Sequence, residues 1–420
     1  MPKFIITGGQ PLKGEIKVSG AKNSALKILP AALLTEEPVT IANLPEIEDV
    51  RRSIELLTGL GAQVNLISPS SCVIEAKNIK KFELNPELAK KFRASIMFVA
   101  PLLARFGEVK FPHPGGCIIG AGERPIDLFL EGFSALGAEI KINGGFYHLK
   151  ARQLKGAEYF FTTISVTGTE AMIMAAALAK GKTTLKNCAM EPEIATLAEH
   201  LNACGAKIKG AGTPTVCVEG VNKLSGGKFT VMPDRIETGT FAILAAAARA
   251  PLTITKCLPA QIESLLAIFK KIGIAYQAGS DWLKVLPAKK IKSYNIKTHE
   301  YPGFPTDLQA AFTVLMTQAS GVSMIHETIY DRRLIYADML TQMGANIIMC
   351  DSHRLVVNGP SRLHGKRLTS PDLRAGIAMI IAALIARGET EIDNAYQIDR
   401  GYENICERLN KLGADIKRAD

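Results

Sequence analysis

The eight cysteines of this 420-residue chain include no C-x-x-C pair, and its seven histidines do not cluster with them. That argues against a structural zinc site and for a reducing cytoplasm. The opening residues, MPKFIITGG, lack an apolar run of the signal-peptide kind. Long hydrophobic runs are missing as well. The longest, Ala375 to Ala386, is too short to span a bilayer, so no membrane partner is expected. The net charge is +10, yet the lysines are spread along the chain with no dense basic block. Such a distribution reads as a solvated surface and not as a nucleic-acid footprint. What is present, 47% hydrophobic and 21% charged residues, is ordinary for a globular protein. At this length two domains are expected.

One short phrase recurs six times. A helical stretch ends in Gly, usually followed by Ala, one further residue and a β-branched residue: LGAQV at Leu60, LGAEI at Leu136, CGAKI at Cys204, IGIAY at Ile272, MGANI at Met343 and LGADI at Leu412. The glycines are separated by 76, 68, 68, 71 and 69 residues. A fixed period of this kind marks a repeat architecture. A Gly just past a helix accepts the left-handed C-terminal conformation, and the apolar residue beyond it starts a strand.

Each repeat predicts two helices. The one before the Gly signal is amphipathic, as in Pro45 to Leu60 and Asp399 to Leu412. The other is rich in small residues and apolar nearly all round, as in GTEAMIMAAALAKG and LRAGIAMIIAALIARG. A helix without a polar face is buried. Six such helices form the interior, and each leads into a short strand such as VTIANL or ETEIDN. Hairpins such as AEIKIN with YHLKA complete the unit. The last repeat ends without its returning strand, and the N-terminal FIITGGQPLKGEIKVSG matches the missing piece. The expectation is an α/β protein of two three-repeat domains: residues 1–21 plus 233–420, and residues 22–232.

Polar residues gather at the N-termini of the buried helices: Lys22 and Asn23, Arg93, Ser165 to Thr169, Asp234 with Arg235 and Glu237, Asp307, and Asp372 with Arg374. Loops add Cys117 with Arg124, Glu191, Glu193, Arg333, Asp399 and Arg400. Taken singly, Asp and Ser cap helices and arginines pair with them. Taken as a set, six helix N-termini and several arginines predict an anion-binding cleft between two facing domains. Cys117 lies in HPGGCIIGAGERP, a Gly-rich segment that reads as a lid. A thiol among arginines is reactive, whereas an isolated buried Cys is inert.

These residues resemble the UDP-N-acetylglucosamine 1-carboxyvinyltransferase family of enolpyruvyl transferases. The likeness runs the whole chain and rests on GAKNSALKILPAALL, FRASIMFVAPLLARFG, PGGCIIG, EPEI, PDRIETGTF, GFPTDLQAAF, PDLRA and IDRGYE. It implies an inside-out α/β barrel pair of six βαβαββ units, with neither cofactor nor metal. It also implies that phosphoenolpyruvate and UDP-N-acetylglucosamine react in the interdomain cleft, at the entry to peptidoglycan synthesis. By motif match, Cys117 protonates phosphoenolpyruvate and is the thiol that fosfomycin alkylates. Lys22, Arg124 and Arg400 hold the phosphate. Arg333 and Arg374 lie near the carboxylate, with Asp372 beside them. Asn23 and Asp307 face the sugar. Arg93, Arg124, Pro125, Ile126, Asp127, Leu128, Thr163, Ile164, Ser165, Val166 and the backbone of Ile329 fall at the nucleotide. Asp307 either takes the hydroxyl proton or orients the hydroxyl, since neighbouring cations weaken a carboxylate as a base. The Cys117–Arg124 spacing is about two residues longer than the family's. The sister enzyme 5-enolpyruvylshikimate-3-phosphate synthase shares the six-unit fold, but PGGC and EPEI favour the sugar-nucleotide acceptor. A DNA sliding clamp, also a ring of repeats, would need no Gly-Gly-Cys lid.

Overall fold

The computed structural model describes residues 2–115 and 126–419. Among these, the strands form six sheets, five of four strands and one of three. Six largely buried helices carry the core: α1 (Lys22–Ala31), α2 (Val99–Phe106), α3 (Val166–Ala177), α4 (Arg235–Ala247), α5 (Gln309–Met316) and α6 (Leu373–Ile385). Their composition explains their place. Every residue of α4 is buried. In α6, Ile377, Met379, Ile380, Ile381 and Leu384 are almost wholly shielded from water, each worth roughly 2 kcal/mol of transfer free energy. Small residues let the helices approach closely. A Cβ on Gly239 of α4 would meet a Leu308 methyl at 2.4 Å, so this glycine is required by contact with the start of α5.

The repeated Gly does what its position demands. Gly61, Gly137, Gly205, Gly273, Gly344 and Gly413 have φ between 88° and 107°. In each case the next residue donates its N–H to the carbonyl five positions back, as Ala62 to Leu57 and Ala206 to Leu201, both at 3.0 Å. This closes the helix end and aims the chain into a strand.

The described residues divide into two units, residues 2–19 with 233–419, and residues 20–115 with 126–232. Within the first, the Asp234 N–H donates to the Ser19 carbonyl; within the second, the Ala21 N–H donates to Met232. Around α3, α5 and α6 the strand before the buried helix pairs in parallel with the strand after it. Glu158–Phe160 joins Lys182–Lys186 around α3, and Arg367–Thr369 joins Glu389–Asp393 around α6. In the three-stranded sheet of Glu108–Pro112, the parallel partner is reduced to a single bridge, Glu83 to Lys110.

The N-terminal segment serves two sheets, not the last sheet alone. Strand β1 (Lys3–Thr7) lies between Glu389–Asp393 and Asp415–Ala419, antiparallel to both, with Ile5 opposite Glu391 and Lys417. Strand β2 (Gly14–Lys17) runs parallel to Leu252–Thr255. It fills that place because the strand preceding α4, Gly227–Thr230, pairs with Val39–Ala42 in the other unit. Two helix expectations also change. The helix read from Pro45 begins at Glu48. The one read over Asp399–Leu412 is two short helices, Tyr396–Asp399 and Ile405–Asn410, interrupted at Asn404, whose φ is 44°. Asn tolerates that left-handed conformation, and it stands directly before the second helix.

Candidate active site

In the unit of residues 20–115 and 126–232, α1 begins at Lys22, directly after Ala21, which offers no side-chain cap. The Lys22 ammonium reaches the Asp49 carboxylate at 2.8 Å, with side-chain exposures of 12% and 3%. Asp49 sits in the first turn of the helix Glu48–Leu60, where an anion suits the helix dipole. Asn23 follows on the same turn, half-buried. Arg93 opens the 3₁₀ turn before α2 and donates to the Pro114 carbonyl at 3.4 Å. Ser165 caps α3 by accepting from the Gly168 N–H at 3.0 Å, which fixes Thr163, Ile164 and Val166 around the helix entry. Ile126 is buried and leads into the helix Asp127–Ala135, and the Leu128 carbonyl accepts from the Tyr159 hydroxyl at 3.1 Å. The expectations on Cys117, Arg124 and Pro125 lie outside the described residues.

The other unit holds a compact charged set. The Asp307 carboxylate accepts from Arg333 Nη2 at 2.7 Å and from Arg374 Nη2 at 2.8 Å. Burial alone would push the Asp307 carboxyl up, but the Arg374 and Arg333 charges and hydrogen bonds outweigh it. The group is held well below the usual carboxylate range and stays ionised. Arg374 is also held charged: burial works against it, and Asp307 more than compensates. Asp372 caps α6 by accepting from the Arg374 and Ala375 N–H groups, which places the Arg374 side chain at the helix entry. Arg374 further donates to the Tyr402 hydroxyl at 3.4 Å, and that hydroxyl bonds Thr240 at 2.9 Å. Burial pushes Tyr402 up to about 12, so it remains a neutral phenol. Arg400 is buried and donates to Gln397 at 3.2 Å.

The sequence reading distributed Asp307, Arg333 and Arg374 between two substrates; the structure joins them in one hydrogen-bonded set. It also adds Glu327 and Thr306. Glu327, fully buried, accepts from the Ile329 and Tyr330 N–H groups at 2.8 and 3.1 Å and so shapes the Ile329 backbone. Thr306 links Glu327 to Arg333 at 2.6 Å on either side. Asp234 is a helix cap, accepting from the Ile236 and Glu237 N–H groups. Glu237 bonds Arg408 at 2.7 and 3.0 Å and the Ser19 N–H at 2.7 Å. These are structural partners. Among the described residues, no group of three His, Cys, Asp or Glu side chains is placed to hold a metal ion, and no helix is long and apolar enough to cross a membrane.

An ionised carboxylate fixed between two arginines can orient a hydroxyl, and the arginines can meet an anion. Comparison with known proteins gives this chemistry a family. Residues 6–409 match the model of EPSP synthase (3-phosphoshikimate 1-carboxyvinyltransferase). A UDP-N-acetylglucosamine 1-carboxyvinyltransferase of Koribacter versatilis (strain Ellin345) is 45% identical over 421 aligned positions, covering 100% of this chain and 96% of the relative. The fold is shared with the enolpyruvyl transferase NikO of Streptomyces tendae, at a TM-score of 0.89, 24% identity and coverage of 100% and 99%. It is shared too with an EPSP synthase of Acinetobacter baumannii, at a TM-score of 0.77, 17% identity and full coverage of both chains. The chain therefore belongs to the EPSP synthase family of enolpyruvyl transferases.

Proposed function

We propose that this enzyme transfers the enolpyruvyl group of phosphoenolpyruvate to the 3′-hydroxyl of UDP-N-acetylglucosamine, releasing phosphate. The observation that carries the reading is full-length identity of 45% to a relative that bears that activity's name. The reaction would belong to peptidoglycan synthesis and take place in the cytoplasm. The paired strands and buried helices support a finer reading of the fold as an inside-out α/β barrel pair of six repeats.

In the proposed mechanism, carbon 3 of phosphoenolpyruvate gains a proton from the Cys117 thiol while carbon 2 becomes cationic. The sugar 3′-oxygen attacks carbon 2 and gives up its proton. The tetrahedral intermediate then loses phosphate, and carbon 3 returns a proton as the double bond re-forms. Lys22, Arg124 and Arg400 neutralise the phosphate, and Arg333 and Arg374 meet the carboxylate. Arg93, Pro125, Ile126, Asp127, Leu128, Thr163, Ile164, Ser165, Val166 and the Ile329 backbone hold the nucleotide, with Asp372 supporting Arg374. Asp307 and Asn23 face the acceptor sugar. Because Asp307 is held ionised by two arginines, we assign it the orienting of the hydroxyl, with proton acceptance late in the step. Mixing the protein with phosphoenolpyruvate and each candidate acceptor tests the assignment. Phosphate release with UDP-N-acetylglucosamine is expected. Release only with shikimate 3-phosphate overturns it.

A further inference from the structure

Glu327 directly follows the strand Gly321–His326, and its side chain is fully enclosed. One carboxylate oxygen accepts three hydrogen bonds, from Thr298 Oγ1 at 3.1 Å, the Ile329 N–H at 2.8 Å and the Tyr330 N–H at 3.1 Å. The other accepts from Thr306 Oγ1 at 2.6 Å. Arg333 Nη1 donates to that same Thr306 oxygen at 2.6 Å, while Arg333 Nη2 holds Asp307. A hydroxyl has one proton and two lone pairs. Arg333 has only donors and the Glu327 carboxylate only acceptors, so Thr306 accepts from the one and donates to the other. The carboxylate, by taking the proton, fixes the hydroxyl rotor and with it the lone pair that faces the guanidinium.

We propose that Glu327 is a positioning residue for the transfer, orienting Arg333 through Thr306 and folding the 329–330 backbone at the same time. The consequence for turnover rests on the reading above, in which Arg333 meets the phosphoenolpyruvate carboxylate and the Ile329 backbone meets the nucleotide; the relay itself does not. A carboxylate is the group the site requires. An amide that turns its NH2 toward Thr306 takes the second lone pair of that oxygen and deprives the hydroxyl proton of its acceptor, which frees the rotor. Turned the other way, its NH2 meets the Ile329 and Tyr330 N–H groups, donor against donor.

The test compares Glu327→Gln, Thr306→Val, Thr306→Ser and the double variant Glu327→Gln/Thr306→Val. Two readouts are used: steady-state kinetics, and the nitrogen resonances of the Arg333 guanidinium in substrate-free protein. Thr306→Val keeps the backbone arm and breaks only the relay, so it tests the link even where Glu327→Gln folds poorly. Each of these two variants is expected to shift the Arg333 resonances and to raise KM for phosphoenolpyruvate about tenfold, with a smaller change in kcat. Glu327→Gln alone also raises KM for the sugar nucleotide. Thr306→Ser regains most of what Thr306→Val loses. The double variant is no worse toward phosphoenolpyruvate than the worse single one. Unmoved Arg333 resonances, or single effects that multiply to about a hundredfold in the double variant, overturn the relay. Shifted resonances with an unchanged KM for phosphoenolpyruvate uphold the relay and overturn the assignment of Arg333 to that substrate's carboxylate.

Discussion

Lys27→Met should change how the protein's stability depends on pH. Lys27 of α1 and Glu170 of α3 form an ion pair at 3.2 Å, with side-chain exposures of 6% and 0%. Apart from that contact, the carboxylate has no hydrogen-bond partner among the described residues. Glu193 and Glu191, at the start of the helix Pro192–Ala203, act on it electrostatically. Burial pushes the Glu170 carboxyl up, Lys27 pulls it down, and the two glutamates push it up again, leaving it at about 7. In the unfolded chain it titrates near 4.3. Between those pH values the folded state holds a proton that the unfolded state releases, so stability falls as pH rises. At about 1.4 kcal/mol per pH unit the fall amounts to about 4 kcal/mol, and it levels off above pH 7. Lys27→Met removes the one contribution that lowers this carboxyl. Its titration then moves higher, and the decline continues beyond the wild-type plateau. By pH 9 the variant should have lost about 3 kcal/mol more than wild type relative to pH 7. Guanidinium unfolding followed by far-UV circular dichroism at pH 5, 7 and 9 measures this. The sole tryptophan, Trp282, belongs to the other unit and serves as an internal control. Wild-type and variant profiles that run parallel above pH 7 would refute the reasoning.

Replacing the pair by apolar residues, Lys27→Met with Glu170→Leu, should be neutral or stabilising by about 1–3 kcal/mol at pH 8, because desolvation of both charges is avoided; a loss beyond that of Lys27→Met alone would contradict it. Asp307→Asn leaves Arg333 and Arg374 without their shared anion. It should cost roughly 2 kcal/mol of stability and on the order of a hundredfold in kcat, and unchanged turnover removes Asp307 from the chemistry. Cys72, Cys188 and Cys257 are buried, with thiols pushed up to about 11 by desolvation. Brief alkylation at pH 7 should leave them unmodified and mark the exposed Cys350, while fosfomycin should add its mass at Cys117; peptide mass mapping checks both. Arg400→Ala should raise KM for phosphoenolpyruvate more than for the sugar nucleotide, and equal increases would count against a phosphate contact.

What could be read from the chain follows from how local each signal is. The left-handed glycines and the all-apolar helices advertise themselves, because backbone conformation and burial leave few alternatives at those positions. Asp234 and Asp372 were visible as caps for the same reason. The Asp307 set was harder to see. Its members stand at positions 307, 333 and 374, and nothing in their spacing says that one carboxylate spans both guanidiniums. Glu327 looks like an ordinary polar residue after a strand, and only tertiary structure reveals its enclosure. Glu170 lies inside an apolar helix whose period drew attention to everything but the charge. A further repeat signal was overlooked. Asn43, Asn187 and Asn394 each follow a strand in the left-handed conformation. Each donates its amide to the carbonyl just past the parallel neighbour, at Val231, Phe161 and Ser370. The asparagines end equivalent strands of the repeat, such as VTIANL and ETEIDN, but the bond that each makes emerges only once the strands are paired.

The placement of β1 bears on synthesis. The described parts of the second unit, residues 20–115 and 126–232, all precede residue 233, so that unit can mature on the ribosome soon after it emerges. The first seven residues must wait, because their sheet neighbours begin at Glu389 and Asp415. At bacterial-like elongation rates this is a delay of roughly 20–80 s. Throughout it, the alternating Phe4 and Ile6, both buried in the finished protein, remain unsheltered. A nascent chain stalled before Glu389 would therefore display a sticky leader, the kind of segment that holdase chaperones capture.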